Sequence, residues 1–193
     1  MRKSLFVSAC VLTAWLVAQP TTAPASVMVI GSSPGFSCYA VARSRDGSRD
    51  ALERCNDAFK SGTLTFEDKV ATYVNRGIVR LYGKDHQGAI ADFDMAIALN
   101  PSQPESYLNK GAALVRMGAS PSEAIAQFNE ALARKTSRPE LAYFSRGVAH
   151  EVAGNLSAAY RDFKRAQELA PRWKEPGEEL SRFQVTRVPK QKM

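Results

Sequence analysis

The amino-acid sequence predicts an all-α protein, an α-solenoid of stacked antiparallel helix hairpins. Three observations support this prediction: one pattern occurs three times, small residues and aromatics return at fixed points within it, and a proline closes the first and third copies. The chain has 193 residues, of which 45% are apolar and 23% charged. This composition is typical of a folded globular domain and excludes a disordered chain.

Residues 1–25 are predicted to be a secretory signal peptide. Arg2 and Lys3 form a basic head, an apolar run follows over residues 5–18, and small residues end at Ala25. A mostly apolar run of fourteen residues is too short to cross a bilayer, which needs about 20 residues, but it suits the core of a signal sequence. We expect cleavage after Ala25, and retention of the leader as a membrane anchor is the alternative.

The predicted export places the remaining cysteines in an oxidising compartment. Cleavage removes Cys10 and leaves Cys38 and Cys55 in the periplasm or outside the cell, where disulfides persist. We predict a disulfide between these two residues, which would contribute about 3 kcal/mol by the loop-entropy argument. Two buried thiols are the alternative. The mature chain is expected to have no transmembrane span.

The three copies of the repeat align on a glycine, with separations of 34 and 36 residues. Periods of this length are typical of stacked helical hairpins. A tyrosine precedes each glycine by four residues, and alanine, phenylalanine and alanine follow it. The predicted repeat-packing residues are Tyr73, Gly77, Ala89, Phe93 and Ala96, then Tyr107, Gly111, Ala124, Phe128 and Ala131, then Tyr143, Gly147, Ala159, Phe163 and Ala166.

These recurring residues have a steric explanation. Glycine in the first helix and alanine in the second let two helix backbones approach each other, and the phenylalanine fills the space beside them. Pro101 and Pro171 end a hairpin because proline has no amide hydrogen. One hairpin cannot bury its apolar stripe alone, so the stacking of neighbouring copies is expected to complete the core.

The repeating residues resemble the tetratricopeptide repeat, which implies a right-handed solenoid. The second copy has one extra residue between Gly118 and Ala124, which we place in the turn before a helix starting at Pro121. It also has no closing proline until Pro139. The implied units are repeats at 70–103, 104–138 and 139–172, preceded by an N-terminal segment with a degenerate repeat at 26–69 and followed by a capping helix and basic tail at 173–193.

Both ends of the predicted solenoid depart from the repeat. Cys55 stands where a full second helix carries phenylalanine, so a disulfide to Cys38 would replace the aromatic contact of that unit. After the third repeat, apolar residues are expected to cover the last exposed helix face. These residues are Trp173, Leu180 and Phe183.

The resemblance implies a non-enzymatic scaffold or adaptor of the cell envelope, which binds a protein or peptide partner in the groove lined by its first helices. Most groove positions are apolar and Arg80 and Arg116 flank them, which favours a hydrophobic partner segment over a terminal carboxylate. The alternative is that the chain's own residues 26–36, SVMVIGSSPGF, cover the groove. The predicted groove residues are Val74, Asn75, Ile78, Leu108, Asn109, Ala112, Phe144, Ser145 and Val148.

A second possible function is the binding of nucleic acid or an anionic surface. It rests on the net charge of +5 without the leader, from 24 basic and 19 acidic residues, and on a basic tail. Export counts against nucleic acid. The basic residues of the tail are Arg182, Arg187, Lys190 and Lys192.

The remaining polar residues do not indicate an enzyme, a cofactor, a metal site or a small-molecule substrate. Asp92 and Asp94 are two apart on a helix and point to different faces, so we expect solvated carboxylates and no catalytic pair. The two histidines, His86 and His150, lack the spacing of a metal site. The basic residues before the three glycines are interpreted as stems packed along repeat interfaces. They are Arg76, Lys110 and Arg146.

Overall fold

A computed structural model of the chain describes residues 5–8 and 35–187. Within these residues the chain forms nine α-helices and two short strands, and the predicted all-α solenoid of helix hairpins is confirmed. The helices are α1 (Phe36–Arg43), α2 (Arg49–Lys60), α3 (Phe66–Tyr82), α4 (His86–Leu99), α5 (Pro104–Met117), α6 (Pro121–Ala133), α7 (Pro139–Val152), α8 (Leu156–Leu169) and α9 (Glu175–Ser181), and the strands are β1 (Leu5–Ser8) and β2 (Gln184–Arg187).

The helices pair in chain order as hairpins, α1 with α2, α3 with α4, α5 with α6 and α7 with α8. Each hairpin packs against the next, because α2 contacts α3, α4 contacts α5 and α6 contacts α7. The first helices also contact one another in the order α1, α3, α5, α7. They therefore form one layer of the stack, and the second helices form the other.

Local sequence signals set where the helices begin and end. The Thr65 side chain caps α3 by accepting a hydrogen bond from the Asp68 amide, so this helix starts four residues before the predicted repeat at 70. Pro121 is the first residue of α6, where its missing amide hydrogen costs nothing. Gly118 ends α5 with a φ of 72°, a left-handed conformation that favours glycine.

Within each repeat, the glycine of the first helix lies against the phenylalanine ring of the second. A methyl group added to Gly77 would lie 2.5 Å from Phe93 Cε1, and one added to Gly111 would lie 2.6 Å from Phe128 Cε1. The glycine thus makes room for a ring, which refines the expectation of a contact between glycine and alanine. All three rings are fully buried. The six repeat alanines, Ala89, Ala96, Ala124, Ala131, Ala159 and Ala166, are at most 1% exposed.

The N-terminal hairpin is held by the Cys38–Cys55 disulfide, which joins α1 to α2. Both cysteines are fully buried in one core cluster with Val70 and Val74 of α3. The disulfide therefore stands where the later repeats have a glycine against a phenylalanine.

The C-terminal end is covered by aromatic side chains. The Trp173 ring packs against the Phe144 ring at a tilt of 52° with ring centroids 4.7 Å apart, and the Phe183 ring lies 6.0 Å from the Phe163 ring. Leu180 belongs to the same cluster, so the residues predicted to cap the solenoid do cover its last repeat.

The two strands are an addition that the sequence analysis does not predict. β1 pairs antiparallel with β2, with Leu5 opposite Arg187, and β1 also lies next to α8. β1 belongs to the predicted leader, so cleavage after residue 25 would remove the partner of β2. The cleavage site at Ala25, Cys10, Lys190 and Lys192 lie outside the described residues.

The contact between glycine and phenylalanine predicts that Gly111→Leu is destabilising. The larger side chain overpacks the space that Phe128 fills, and the free energy of unfolding should fall by about 1 to 3 kcal/mol. Ala159→Leu should behave in the same way because Ala159 is fully buried. Urea denaturation followed by circular dichroism measures the change.

Ala133→Leu is the matched control, since Ala133 is exposed at the end of α6. It should leave the denaturation midpoint nearly unchanged. An unchanged midpoint for Gly111→Leu would contradict the observed packing.

Candidate partner-binding surface

The predicted groove residues lie at equivalent positions of α3, α5 and α7. The structure buries eight of the nine, and only Val148 is half-buried. Val74, Ile78 and Leu108 are fully buried and Ala112 is 3% exposed. Their side chains belong to the core of the intact chain, and their assignment to a partner groove stays a prediction.

Asn75 and Asn109 occupy the same position in their repeats, two residues before the glycine. Their exposed fractions are 1% and 0%, and neither side chain is without a partner. A buried amide that both donates and accepts hydrogen bonds is suited to holding a polypeptide main chain. Their assignment to a partner groove stays a prediction, as it does for the apolar groove residues.

Accessible surface on the first helices lies one turn beyond the buried groove positions. Tyr82, Arg116 and Val152 each follow the repeat glycine by five residues and share a face with the predicted groove residues four positions earlier. The Arg116 guanidinium lies 5.9 Å from the centre of the Tyr82 ring, and Val152 is 70% exposed. We call these three residues the groove rim. The sequence analysis identifies only Arg116 among them.

An arginine links three helices in the first repeat. Arg76 of α3 pairs with Asp92 of α4 at 2.7 Å, and its Nη1 donates to Asn56 Oδ1 of α2 at 2.9 Å. The guanidinium also lies 4.5 Å from the centre of the Phe59 ring. Arg76 thus joins its own hairpin to the preceding one, by hydrogen bonds and by a cation–π contact.

The third repeat has the same arrangement. Arg146 of α7 pairs with Asp162 of α8 through two hydrogen bonds of 2.8 Å, and its Nη1 donates to Asn129 of α6 at 2.6 Å. The hydrogen bonds to Asp162 raise the pKa of Arg146. The two arginines therefore have structural roles between repeats.

In the second repeat, a lysine makes the ion pair between the hairpins. Lys110 stands at the arginine position, and Gln127 replaces the aspartate of the second helix. Lys110 Nζ instead pairs with Asp94 Oδ1 of the preceding repeat at 2.6 Å. Asp94 occupies the position that Asn129 has in the second repeat. The carboxylate that pairs with the basic residue of the first helix therefore belongs to the preceding hairpin here, whereas in the other two repeats it belongs to the same hairpin.

The expectation that Asp92 is solvated is wrong. Asp92 is 2% exposed, because Arg76 and Arg80 both bring positive charge to its carboxylate. Asp94 has a half-exposed side chain, as expected. An ion pair across two helices cannot be read from the spacing within one helix.

The two histidines have different surroundings. His86 begins α4 directly after Asp85, whose side chain caps this helix by accepting from the Gly88 amide at 2.9 Å. His150 Nε2 lies 3.9 Å from Asp162 Oδ2. Burial lowers the pKa of His150 below its ordinary value of 6.5; Asp162 opposes this shift, and Arg146 and Arg161 add to it.

Residues 5–8 and 35–187 provide neither a membrane-spanning helix nor a cluster of metal ligands. None of the helices in these ranges combines the length and the hydropathy that a membrane span requires. In the same ranges, no group of three or more His, Cys, Asp and Glu side chains is placed to hold a metal ion.

Comparison with protein families identifies the chain. The family model described as tetratricopeptide repeat matches residues 74–139 and 108–172, which together span just over half of the sequence. The chain belongs to the tetratricopeptide repeat family. No curated protein matches it in sequence.

Solved structures share this fold. PilW, a widely conserved type IV pilus biogenesis factor, is 26% identical with a TM-score of 0.67, and the match covers 77% of this chain and 66% of PilW. The first repeat domain of Spaghetti (RPAP3), bound to an HSP90 peptide, is 26% identical with a TM-score of 0.56, covering 58% of this chain and 88% of that domain. MamA from Desulfovibrio magneticus RS-1, at 18% identity and a TM-score of 0.62 over 78% of this chain and 84% of MamA, shows the fold alone.

The environment of His150 predicts a loss of stability on acidification. The pKa of His150 is lower in the folded chain than in the unfolded chain. As the pH falls below 6.5, His150 therefore binds a proton in the unfolded chain before it does so in the folded chain, and the free energy of unfolding decreases. His150→Gln removes this proton uptake, so its free energy of unfolding should depend less steeply on pH below 6.5. Urea denaturation at a series of pH values measures both proteins.

His86→Gln, measured in parallel, separates the contribution of the second histidine. Equal pH slopes for the wild type and His150→Gln would show that His150 does not carry this effect.

Proposed function

We propose that this protein is a non-enzymatic scaffold or adaptor that binds a segment of a partner protein on the face formed by α3, α5 and α7. The observation that carries the proposal is the groove rim, because Tyr82, Arg116 and Val152 lie at equivalent positions of three successive first helices and leave surface accessible to a partner. Family membership supports it, as do PilW and the peptide-bound repeat domain of RPAP3.

The proposed location is the cell envelope, in the periplasm or outside the cell. The Cys38–Cys55 disulfide supports this location because disulfides persist in oxidising compartments. The predicted leader supports it independently, and PilW, a pilus biogenesis factor, is compatible with it.

The proposed partner segment is apolar, with an acidic side chain, not a terminal carboxylate, accommodated beside the groove rim. Val152 offers apolar surface at one end of the rim, and the Arg116 guanidinium, 5.9 Å from the centre of the Tyr82 ring, offers a positive charge in the middle. Burial of apolar side chains would supply affinity, and polar groups would fix the orientation of the segment.

The alternative function, binding of an anionic surface through the C-terminal tail, has weaker support. Arg182 is engaged with Glu179 at 2.6 Å and also pairs with Glu151. Its charge is therefore compensated within the chain.

Substitution of the groove rim tests the proposed function. The chain from residue 26 onward is used as bait for envelope proteins, and each captured partner is then purified and its affinity measured. Val152→Asp should weaken partner binding at least tenfold, about 1.4 kcal/mol, because it places a charge on the proposed apolar surface.

Met95→Asp is the matched control, since Met95 is an exposed apolar residue (45%) on the second-helix layer. It should leave the affinity unchanged. Equal losses for both variants would contradict the proposed face. Binding that collapses between about 50 and 200 mM salt would favour the anionic-surface alternative.

A further inference from the structure

The N-terminal hairpin, formed by α1 and α2, has a smaller apolar core than the three hairpins that follow it. α1 has eight residues and α2 has twelve. Each later hairpin buries a whole phenylalanine ring between its helices. Valine and alanine bury little apolar area, and an eight-residue helix is unstable by itself. The buried residues of α1 and α2 are one valine, three alanines and the two cysteines, namely Val41, Ala42, Ala51, Ala58, Cys38 and Cys55.

The Cys38–Cys55 disulfide is therefore the main connection between α1 and α2. Both cysteines are 0% exposed, and the bond lies where the other hairpins have a ring against a glycine. The bond removes the entropic cost of closing the loop between the two residues. Without it, the small apolar core has to offset this cost alone.

The contacts that hold the hairpin on the first repeat come from α1, from α2 and from the turn between them. At the turn, a methyl group added to Gly47 would lie 2.2 Å from the Gly83 amide nitrogen, so two turns touch. From α2, Asn56 accepts a hydrogen bond of 2.9 Å from Arg76. α1 packs on α3 as well. These contacts together require one arrangement of α1 relative to α2, so the hairpin docks on α3 as a unit.

The later repeats have apolar cores of their own. One cluster joins α1 and α2 to α3 and α4. The other two clusters, around Phe128 and Phe163, are built from residues between Ile90 and Phe183. In a stack each hairpin contacts only its neighbours, and an end hairpin can open while the others stay folded. Opening of the N-terminal hairpin would therefore expose α3 and leave the other two clusters intact.

We propose that the N-terminal hairpin is a redox-controlled unit, which docks on α3 when Cys38 and Cys55 are bonded and opens when they are reduced. The chain then completes its first-helix layer only in an oxidising compartment, where the bond between α1 and α2 persists. This inference is independent of the proposed function, because it involves no partner.

The reductant of this unit is a dithiol. One of its thiolates attacks a sulfur of the disulfide and forms a mixed disulfide, and its second thiolate then displaces the cysteine from that bond. The dithiol loses two electrons and becomes a disulfide, while Cys38 and Cys55 each take up one proton and end as thiols. Since both cysteines are fully buried, the attack requires a prior local opening of the hairpin.

Alkylation of the reduced full-length chain tests the opening directly. The chain is reduced with dithiothreitol, which is then removed in the absence of oxygen. A maleimide should modify Cys38 and Cys55 in native buffer at a rate within roughly tenfold of the rate in urea. Peptide mass mapping separates these sites from Cys10. Slower modification would overturn the proposal, because the thiols of a docked hairpin are inaccessible.

Hydrogen exchange measures how far the opening extends along the chain. Reduction should lower the protection of the amides of α1 and α2 by roughly 10- to 100-fold and leave that of α6 to α8 unchanged. Loss of protection throughout the chain would mean that the bond stabilises the whole fold. Unchanged protection would mean that the hairpin docks without the bond, and either result would overturn the proposal.

The double variant Cys38→Ala, Cys55→Ala is the matched control for the reductant. It should exchange like the reduced wild type whether or not dithiothreitol is present. Reoxidation should restore the protection of α1 and α2 in the wild type and leave the variant unchanged. A variant that keeps these helices protected would contradict the proposal, because alanines would then support the hairpin without a bond.

Discussion

The contact on which the rest of the structure depends is the close approach of a glycine to a buried phenylalanine ring. It occurs between Gly77 and Phe93 in the first repeat and recurs in the same form in the other two. Any side chain on the glycine would occupy the position of the ring, so the two helices of a hairpin reach this distance only with glycine there. The hairpin geometry then fixes how each first helix lies beside the next.

Charged residues connect one hairpin to its neighbour. Arg76 and Arg146 each neutralise a buried aspartate of their own hairpin while bonding to an asparagine of the preceding one. A buried carboxylate is costly without such a partner, so these pairs favour one register of stacking over others. In the second repeat, Lys110 achieves the same link through Asp94 of the neighbouring repeat. These ion pairs fix how the first helices are arranged, and the face proposed to bind a partner is formed by those helices.

The repeat architecture could be predicted from the sequence because its determinants are local and periodic. Gly77 and Phe93 recur at fixed distances, and Pro121 marks a helix start by its own chemistry. The disulfide between Cys38 and Cys55 could be predicted because these two cysteines remain once the expected cleavage removes Cys10. The start of α3 was missed although Thr65 and Asp68 carry a capping signal.

Other features depend on several helices at once and could not be predicted from one. The burial of Asp92 requires arginines from a neighbouring helix, and the pairing of β1 with β2 joins opposite ends of the chain. The burial of Leu108 arises in a core cluster that also includes Phe128 of α6 and Leu141 of α7. The rim residues Tyr82 and Val152 were missed, although their spacing of one turn from the predicted groove residues was available in the sequence.

A double-mutant cycle between Gly111 and Phe128 tests the central contact most directly. Gly111→Ala adds the methyl group that would lie 2.6 Å from the ring, and Phe128→Leu removes the ring atoms that it meets. We expect the double variant to be more stable than the sum of the two single losses by about 0.5 to 3 kcal/mol, as measured by urea denaturation. Strictly additive losses would contradict the account, because the two residues would then not share the same space.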